Sequence, residues 1–269
     1  EYPNKKVGII NLSADKKGQL VDFVIVGSIE EADSLSHYEN VFLFPLIEQM
    51  YQSPVPKQHQ HKKQLTIGYH GSYTHLSKFG PHLKNALEEL SQEYDFKLKI
   101  ITSNTGFDWK LGKPNVDNVE IIKWNIDTVK ADLLDCDIGV VPNITFLNYE
   151  DMDLEVSTDL GLYSTDYVLR LKNKSNAGRA FVFHQLGIPV VADITPSNLH
   201  ILGNPDCGFA VCSKEGWKKA LLKLQDAEIR QFVADNAKRE FDRLYNPLGW
   251  AQKLYIDIRG INNELCRKK

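Results

Sequence analysis

The chain has 269 residues, 42% hydrophobic and 25% charged, with a formal net charge of -3. That is ordinary globular composition, with enough apolar material for one large α/β domain or two. It excludes a disordered polyelectrolyte and argues against a nucleic-acid partner, while leaving room for a local phosphate pocket.

Val7 to Asn11 (VGIIN) and Val21 to Gly27 (VDFVIVG) have the short apolar pattern of buried strands. Ser28 then caps an acidic first helical turn, and Val41 to Ile47 (VFLFPLI) is a further apolar run broken by Pro45. Residues 1–51 are therefore expected to form a partial α/β lobe, too small to bind a nucleotide alone. Residues 52–64, rich in Pro, Gln, His and Lys, are expected to be a linker. His59 and His61 within it are read as solvated linker residues rather than a metal tract.

From residue 65 the chain becomes periodic. Leu65 to His70 is a strand, Gly71 to Gly80 a loop, and Pro81 to Tyr94 an amphipathic helix with Pro81 at its first position. Phe96 to Thr102 is a strand, Val119 to Trp124 another, Asp127 to Leu134 a helix and Asp137 to Pro142 a strand. This alternation predicts a doubly wound parallel sheet, Rossmann-like, with its ligand at the carboxyl ends of the strands. Residues 143–171 break the rhythm with six acids and three tyrosines, and are read as a lid, a binding loop or a disordered segment. The acids lack the spacing of a calcium loop; the tyrosines are placed to pack or to stack on a sugar.

Lys172 to Asp193 (KNKSNAGRAFVFHQLGIPVVAD) reads as loop, helix, glycine stop and buried strand. Amides at such a helix start, with Lys174 and Arg179 beside them, form a seat for an anion; an ordinary loop–helix–strand unit with a solvated basic start is the alternative. Thr195 to Leu199 is a turn into a short helix and Gly208 to Cys212 a strand; helices follow over Lys214 to Leu224, Asp226 to Tyr245 and Leu248 to Ile258. The main domain is set at 65–246, with 247–269 as a C-terminal helix and tail. Cys136, Cys207, Cys212 and Cys266 form no metal-binding spacing and are read as reduced thiols of a cytoplasmic protein. No apolar run reaches membrane-spanning length, so any membrane contact is expected to be peripheral.

Four stretches together resemble the donor-binding lobe of GT-B fold glycosyltransferases, of the large retaining class that includes sucrose and mannosyl transferases. They are Ile67 to Lys78 (IGYHGSYTHLSK), Val119 to Asn143, Lys174 to Asp193 and Val233 to Trp250. The resemblance implies a polysaccharide-building transferase that uses a nucleotide-sugar donor, with no metal and no other cofactor. It places the donor diphosphate on Gly71, Ser72 and Lys78, on Lys174 and Arg179, and on the amides of Ser175, Asn176 and Ala177. Thr102, Ser103 and Trp124, where strands end, are positioned to frame the base or ribose, with simple packing as the alternative for Trp124. His70 and His75 beside the glycine loop are read as structural rather than as a general base, and no catalytic residue is assigned. Three departures from the family stand out. Ser72 occupies the family's arginine position, Lys174 and Val182 occupy the positions of its two glutamates, and about 60 residues stand where the family has a whole acceptor-binding lobe. A non-catalytic nucleotide-sugar-binding module derived from such an enzyme is therefore the second reading. The acceptor, the sugar, the base and the stereochemical course are not specified by these motifs.

Overall fold

The computed structural model describes residues 6–10, 21–76, 81–109, 112–143 and 177–267. The described chain holds two parallel sheets. The smaller has three strands, β1 (Gly8–Ile10), β2 (Phe23–Val26) and β3 (Val41–Leu43), paired in that order. Helix α1 (Ile29–Ser34) crosses from β2 to β3, started by Ser28, whose hydroxyl accepts from the Glu31 amide at 3.1 Å.

The larger sheet contains β4 (Leu65–His70), β5 (Phe96–Thr102), β6 (Val119–Lys123), β7 (Ile138–Val141), β8 (Val190–Asp193) and β9 (Phe209–Val211). Their spatial order is β6-β5-β4-β7-β8-β9, all parallel. The winding runs outward from β4 in one direction and then reverses at β7, so the crevice between β4 and β7 is the topological switch point. This is the doubly wound sheet that the alternation of elements predicts.

Helices cover both faces, which is why the strands read as nearly continuous apolar runs. One core joins β4, β5 and β7 to α3 (Pro81–Leu90) and α7 (Lys214–Lys223) through Leu83, Leu87, Trp217 and Leu221. The other lies under α4 (Val129–Leu134), α5 (Gly178–Leu186) and α8 (Ala227–Leu244), built on Leu133, Phe183, Leu186 and Phe241. Two short helices complete the fold: α2 (Tyr73–Leu76) sits inside the expected glycine loop, and α6 (Pro196–Leu202) follows β8. The last helix, α9 (Pro247–Arg267), is nine residues longer than its apolar pattern predicts and packs back against β3.

The stretch 52–64 is exposed over most of its length, but Lys57 and His59 are not the solvated residues that its composition suggests. The Lys57 amide donates to the Leu186 carbonyl at 3.0 Å, the His59 amide to Gln231 Oε1 at 2.7 Å, and Arg230 Nη2 to the Gln60 carbonyl at 2.7 Å. Asp137, buried at the start of β7, accepts from Lys62 at 2.8 Å, Lys57 at 3.2 Å and the Thr66 amide at 2.9 Å. Gly187 ends α5 with φ +71°, and a Cβ there would stand 2.8 Å from the Lys57 nitrogen. Polar side chains that look like solvent-facing linker residues are spent fastening the chain under the larger sheet.

A buried polar contact ties the small lobe to α6. The Glu30 carboxylate accepts from the Ser197 amide at 3.1 Å and from the Ser197 hydroxyl, while the Ile29 amide donates to Ser197 Oγ at 3.3 Å. An acid of α1 thereby supplies negative charge to the N-terminus of α6, beside that helix's own cap, Thr195.

Candidate functional site

The crevice at the carboxyl ends of β4 and β7 is built around Gly71. Its φ is +133°, which disfavours any side chain, and a Cβ would stand 2.9 Å from Arg179 Cδ. Glycine is thus required twice, by conformation and by space. The Gly71 amide donates to the Ile101 carbonyl at 3.1 Å, tying the turn to β5. The Tyr69 hydroxyl donates to the Ser72 carbonyl at 2.9 Å and holds the next step of the loop.

Arg179, in the first turn of α5, faces this loop. Its guanidinium lies over the Tyr69 ring, 5.6 Å from the centroid, with Nη1 3.4 Å from the Tyr69 hydroxyl. Nη2 donates to the Pro142 carbonyl at 3.0 Å and to Asn143 Oδ1. A fork satisfied by a ring, a carbonyl and an amide is a brace. Arg179 sets the distance between α5, the glycine loop and the end of β7, while leaving a fixed positive charge between them. The N-cap position of α5 is Ala177, which is buried and has no side-chain oxygen with which to cap the helix.

His70 closes β4. Its Nε2 lies 3.1 Å from the Arg179 carbonyl and its ring meets the Phe183 ring edge-on at 5.1 Å. A carbonyl only accepts, so Nε2 carries the proton. Burial brings the imidazole down to about 4, and it is neutral at pH 7. It behaves as the structural histidine expected from the sequence, fixing the start of α5.

On the β5 and β6 side, the Thr102 carbonyl accepts from the Trp124 amide at 2.8 Å. The Thr102 hydroxyl is buried and meets no partner among the described residues. Ser103 beside it is exposed. Trp124 keeps 41% of its surface exposed. An aromatic ring this open at a strand end suits stacking. Tyr51 is pushed up by burial, against the opposing effect of Trp124.

Gly71, Ser72, Thr102, Ser103, Trp124, Ala177 and Arg179 thus gather at adjacent strand ends. Lys78, Lys174, Ser175 and Asn176 lie outside the described residues, as does most of the acidic stretch 143–171, and the side chain of His75 lies outside them too. Three residues that sequence reasoning passed over hold the crevice together: Tyr69, Asn143 and Asp193. The Asp193 carboxylate, buried at the end of β8, accepts from the Asn143 amide at 2.8 Å and from Trp217 Nε1 at 3.2 Å. The Asn143 Nδ2 has no partner among the described residues. Their common signal is position, since each puts a polar group at or beside the carboxyl end of an apolar strand.

Among the described residues no group of His, Cys, Asp and Glu could hold a metal ion, and no helix is long and apolar enough to cross a membrane. Cys136, Cys207 and Cys212 are free thiols, and burial pushes that of Cys136 up to about 12.

No family model matches the chain, and neither does any curated protein. Solved structures do. A Staphylococcus aureus TarM mutant in complex with fondaparinux, α-GlcNAc-glycerol and UDP aligns over 91% of this chain and 45% of its own, at 14% identity and a TM-score of 0.63. HepE from Anabaena, in complex with UDP and glucose, aligns over 89% of this chain and 63% of its own, at 13% identity and a TM-score of 0.60. WaaG, a glycosyltransferase involved in lipopolysaccharide biosynthesis, aligns over 86% of this chain and 61% of its own, at 15% identity and a TM-score of 0.58. The chain therefore spans between about half and two-thirds of the length of these proteins. At such identities the likeness is one of fold, and the fold is that of the GT-B glycosyltransferases over part of its extent.

Proposed function

We infer that this chain carries the donor half of a glycosyltransferase, binding a nucleoside-diphosphate sugar in the crevice between β4 and β7 and passing the sugar to a glycan or other acceptor. The observation that carries the reading is the confrontation of the Gly71 loop with the N-terminus of α5 across the switch point of the sheet, with Arg179 against Gly71. HepE and TarM, of similar fold, are solved with UDP bound.

Departure of a nucleoside diphosphate needs its growing negative charge stabilised while the anomeric carbon becomes cationic. In this reading Lys78 and Lys174 supply cations and the amides of Ser175 to Ala177 supply hydrogen-bond donors. The Gly71–Ser72 loop gives the diphosphate close approach to the backbone. Arg179 contributes position and a fixed charge. No metal is required. Thr102 and Ser103 face the ribose and Trp124 stacks on the base. Lys78→Ala and Lys174→Ala are each expected to weaken nucleoside diphosphate binding by about 1–3 kcal/mol by calorimetry. Unchanged affinity in both would remove the proposed site.

A second reading is a nucleotide-sugar-binding module without turnover. It is favoured by Lys174 and Val182, which stand where the family that the chain resembles carries glutamates. Assay of the chain with a panel of nucleotide sugars separates the two, because the module binds donor without releasing nucleoside diphosphate.

A further inference from the structure

The edge of the larger sheet opposite β6 is a groove with a main-chain floor. β9 is the last strand in the order, paired only with β8 among the described residues. The register Val191↔Phe209, Ala192↔Ala210, Asp193↔Val211, with the Ile194 amide donating to the Val211 carbonyl at 3.0 Å, turns the polar groups of Phe209 and Val211 toward β8. In a parallel ladder alternate residues bond to alternate sides, so the amide and carbonyl of Ala210 face outward. One wall is the end of α6 with the loop after it, including Leu202 and Pro205; the other is α7, including Lys219 and Lys223. The cavity they enclose is about 320 Å³.

The charge on this groove has one sign. Of the four lysines spaced along α7, Lys214 pairs with Glu89 on α3 at 2.6 Å and Lys218 with Glu93 in the turn after it at 2.9 Å. Lys219 and Lys223, on the groove side, make no ion pair among the described residues; Lys223 Nζ lies 5.7 Å from the Phe209 ring centroid. No carboxylate lines the groove among the described residues.

We propose that this edge is a docking site for an extended acidic peptide segment of a partner protein, which adds as a strand to β9 with its carboxylates on Lys219 and Lys223 and an apolar side chain against Leu202 and Pro205. Strand addition satisfies the outward amide and carbonyl of Ala210, and side-chain pockets beside the strand give selectivity. A lipid chain in the same groove would leave those main-chain groups without partners, which is costly. A second copy paired β9 to β9 would bring two lysine rims together, like charge on like. The site is two strands removed from the β4–β7 crevice and does not depend on the transferase reading.

The test uses a fluorescent peptide of alternating glutamate and valine, a lysine–valine counterpart, and a glutamate–valine peptide with a central proline. Binding is followed by anisotropy to the whole chain at low and raised salt. The acidic peptide is expected to saturate and to weaken with salt, while the other two do not bind. Lys219→Glu/Lys223→Glu, a surface change, is expected to weaken it by about tenfold or more. Ala210→Pro, which deletes only an outward-facing donor, is expected to abolish it, with circular dichroism reporting that each variant is folded. The proposal is overturned if the acidic peptide does not saturate, or if the lysine variant binds it as tightly as the parent. It is also overturned if phosphatidylglycerol vesicles bind through these lysines and the peptide does not.

Discussion

The Arg179 guanidinium lies over the Tyr69 ring, and the Tyr69 hydroxyl donates to the Ser72 carbonyl. A helix start, a strand end and a glycine loop are thereby locked to one another through two side chains. Tyr69→Phe keeps the ring and removes the hydroxyl. The loss of the bond to Ser72 and of the longer one from Arg179 is expected to cost about 1–2 kcal/mol of stability. Urea unfolding reads that loss, and calorimetry should show a weaker diphosphate, because the Ser72 carbonyl is released. Equal binding by the variant would detach Tyr69 from the site.

Arg179 serves through geometry, so charge alone should not replace it. Lysine cannot reach the Pro142 carbonyl and the Asn143 amide with one planar fork. Arg179→Lys is expected to lose stability nearly as far as Arg179→Ala, about 2 kcal/mol by chemical denaturation. Full rescue by lysine would mean that the guanidinium acts only as a point charge.

Gly71→Ala meets both a left-handed φ and the Arg179 side chain. A cost of about 1–3 kcal/mol is expected. Gly106 has no such constraint, the nearest neighbour for a Cβ being the Asn104 side chain at 3.8 Å, and Gly106→Ala should be nearly silent in the same thermal melt.

Three histidines act on the acid side of the stability curve. Burial lowers His59 and His70 to about 4 and His184 to about 3, below the ordinary value of 6.5. Each folded value lies below the unfolded one, so the unfolded chain binds the extra protons. Their contribution is intact above pH 6.5 and falls as the pH drops toward the folded values, by up to about 1.4 kcal/mol per pH unit for each. His184→Leu removes a buried imidazole whose Nδ1 has no partner among the described residues. Its urea midpoint should fall less steeply between pH 6.5 and 5 than that of the parent. Parallel curves would contradict the assignment.

Asp137 acts lower on the pH scale. Burial raises its carboxyl, but Lys62, the Thr66 amide and Lys57 outweigh burial and hold it below the usual carboxylate range. A depressed folded value means that its stabilisation is present above the unfolded value near 4 and is lost as the pH falls below that. Asp137→Asn leaves two lysines under the sheet without their carboxylate and is expected to cost about 3 kcal/mol at pH 7. Hydrogen exchange should then show stretch 52–64 opening before the sheet does.

The alternation of strands and helices from residue 65 made the larger sheet legible, since a parallel sheet covered on both faces leaves apolar runs such as Phe96–Thr102 that little else produces. The positions of Gly71, Ser72 and Thr102 at the ends of those runs were legible for the same reason, and that of Arg179 at the start of a helix was legible from the glycine stop that follows it. The brace was not, because Tyr69 reads as one more apolar strand residue until its hydroxyl is placed. Stretch 52–64 was misread because composition reports solubility in isolation: His59 and Lys57 look solvated, yet their partners, Gly187 and Asp137, lie more than seventy residues away in sequence. The contact of Glu30 with Ser197 spans 167 residues and leaves no local trace either.

A nucleoside diphosphate seated at the mouth of β4 and β7 would leave its footprint in hydrogen exchange, compared with and without uridine, guanosine and adenosine diphosphates. One of these nucleotides should slow exchange at the amides of Ser72, Ser103 and the first turn of α5, leaving β9 unchanged. Saturating nucleotide that protects none of those amides, or protects only residues elsewhere, would contradict it.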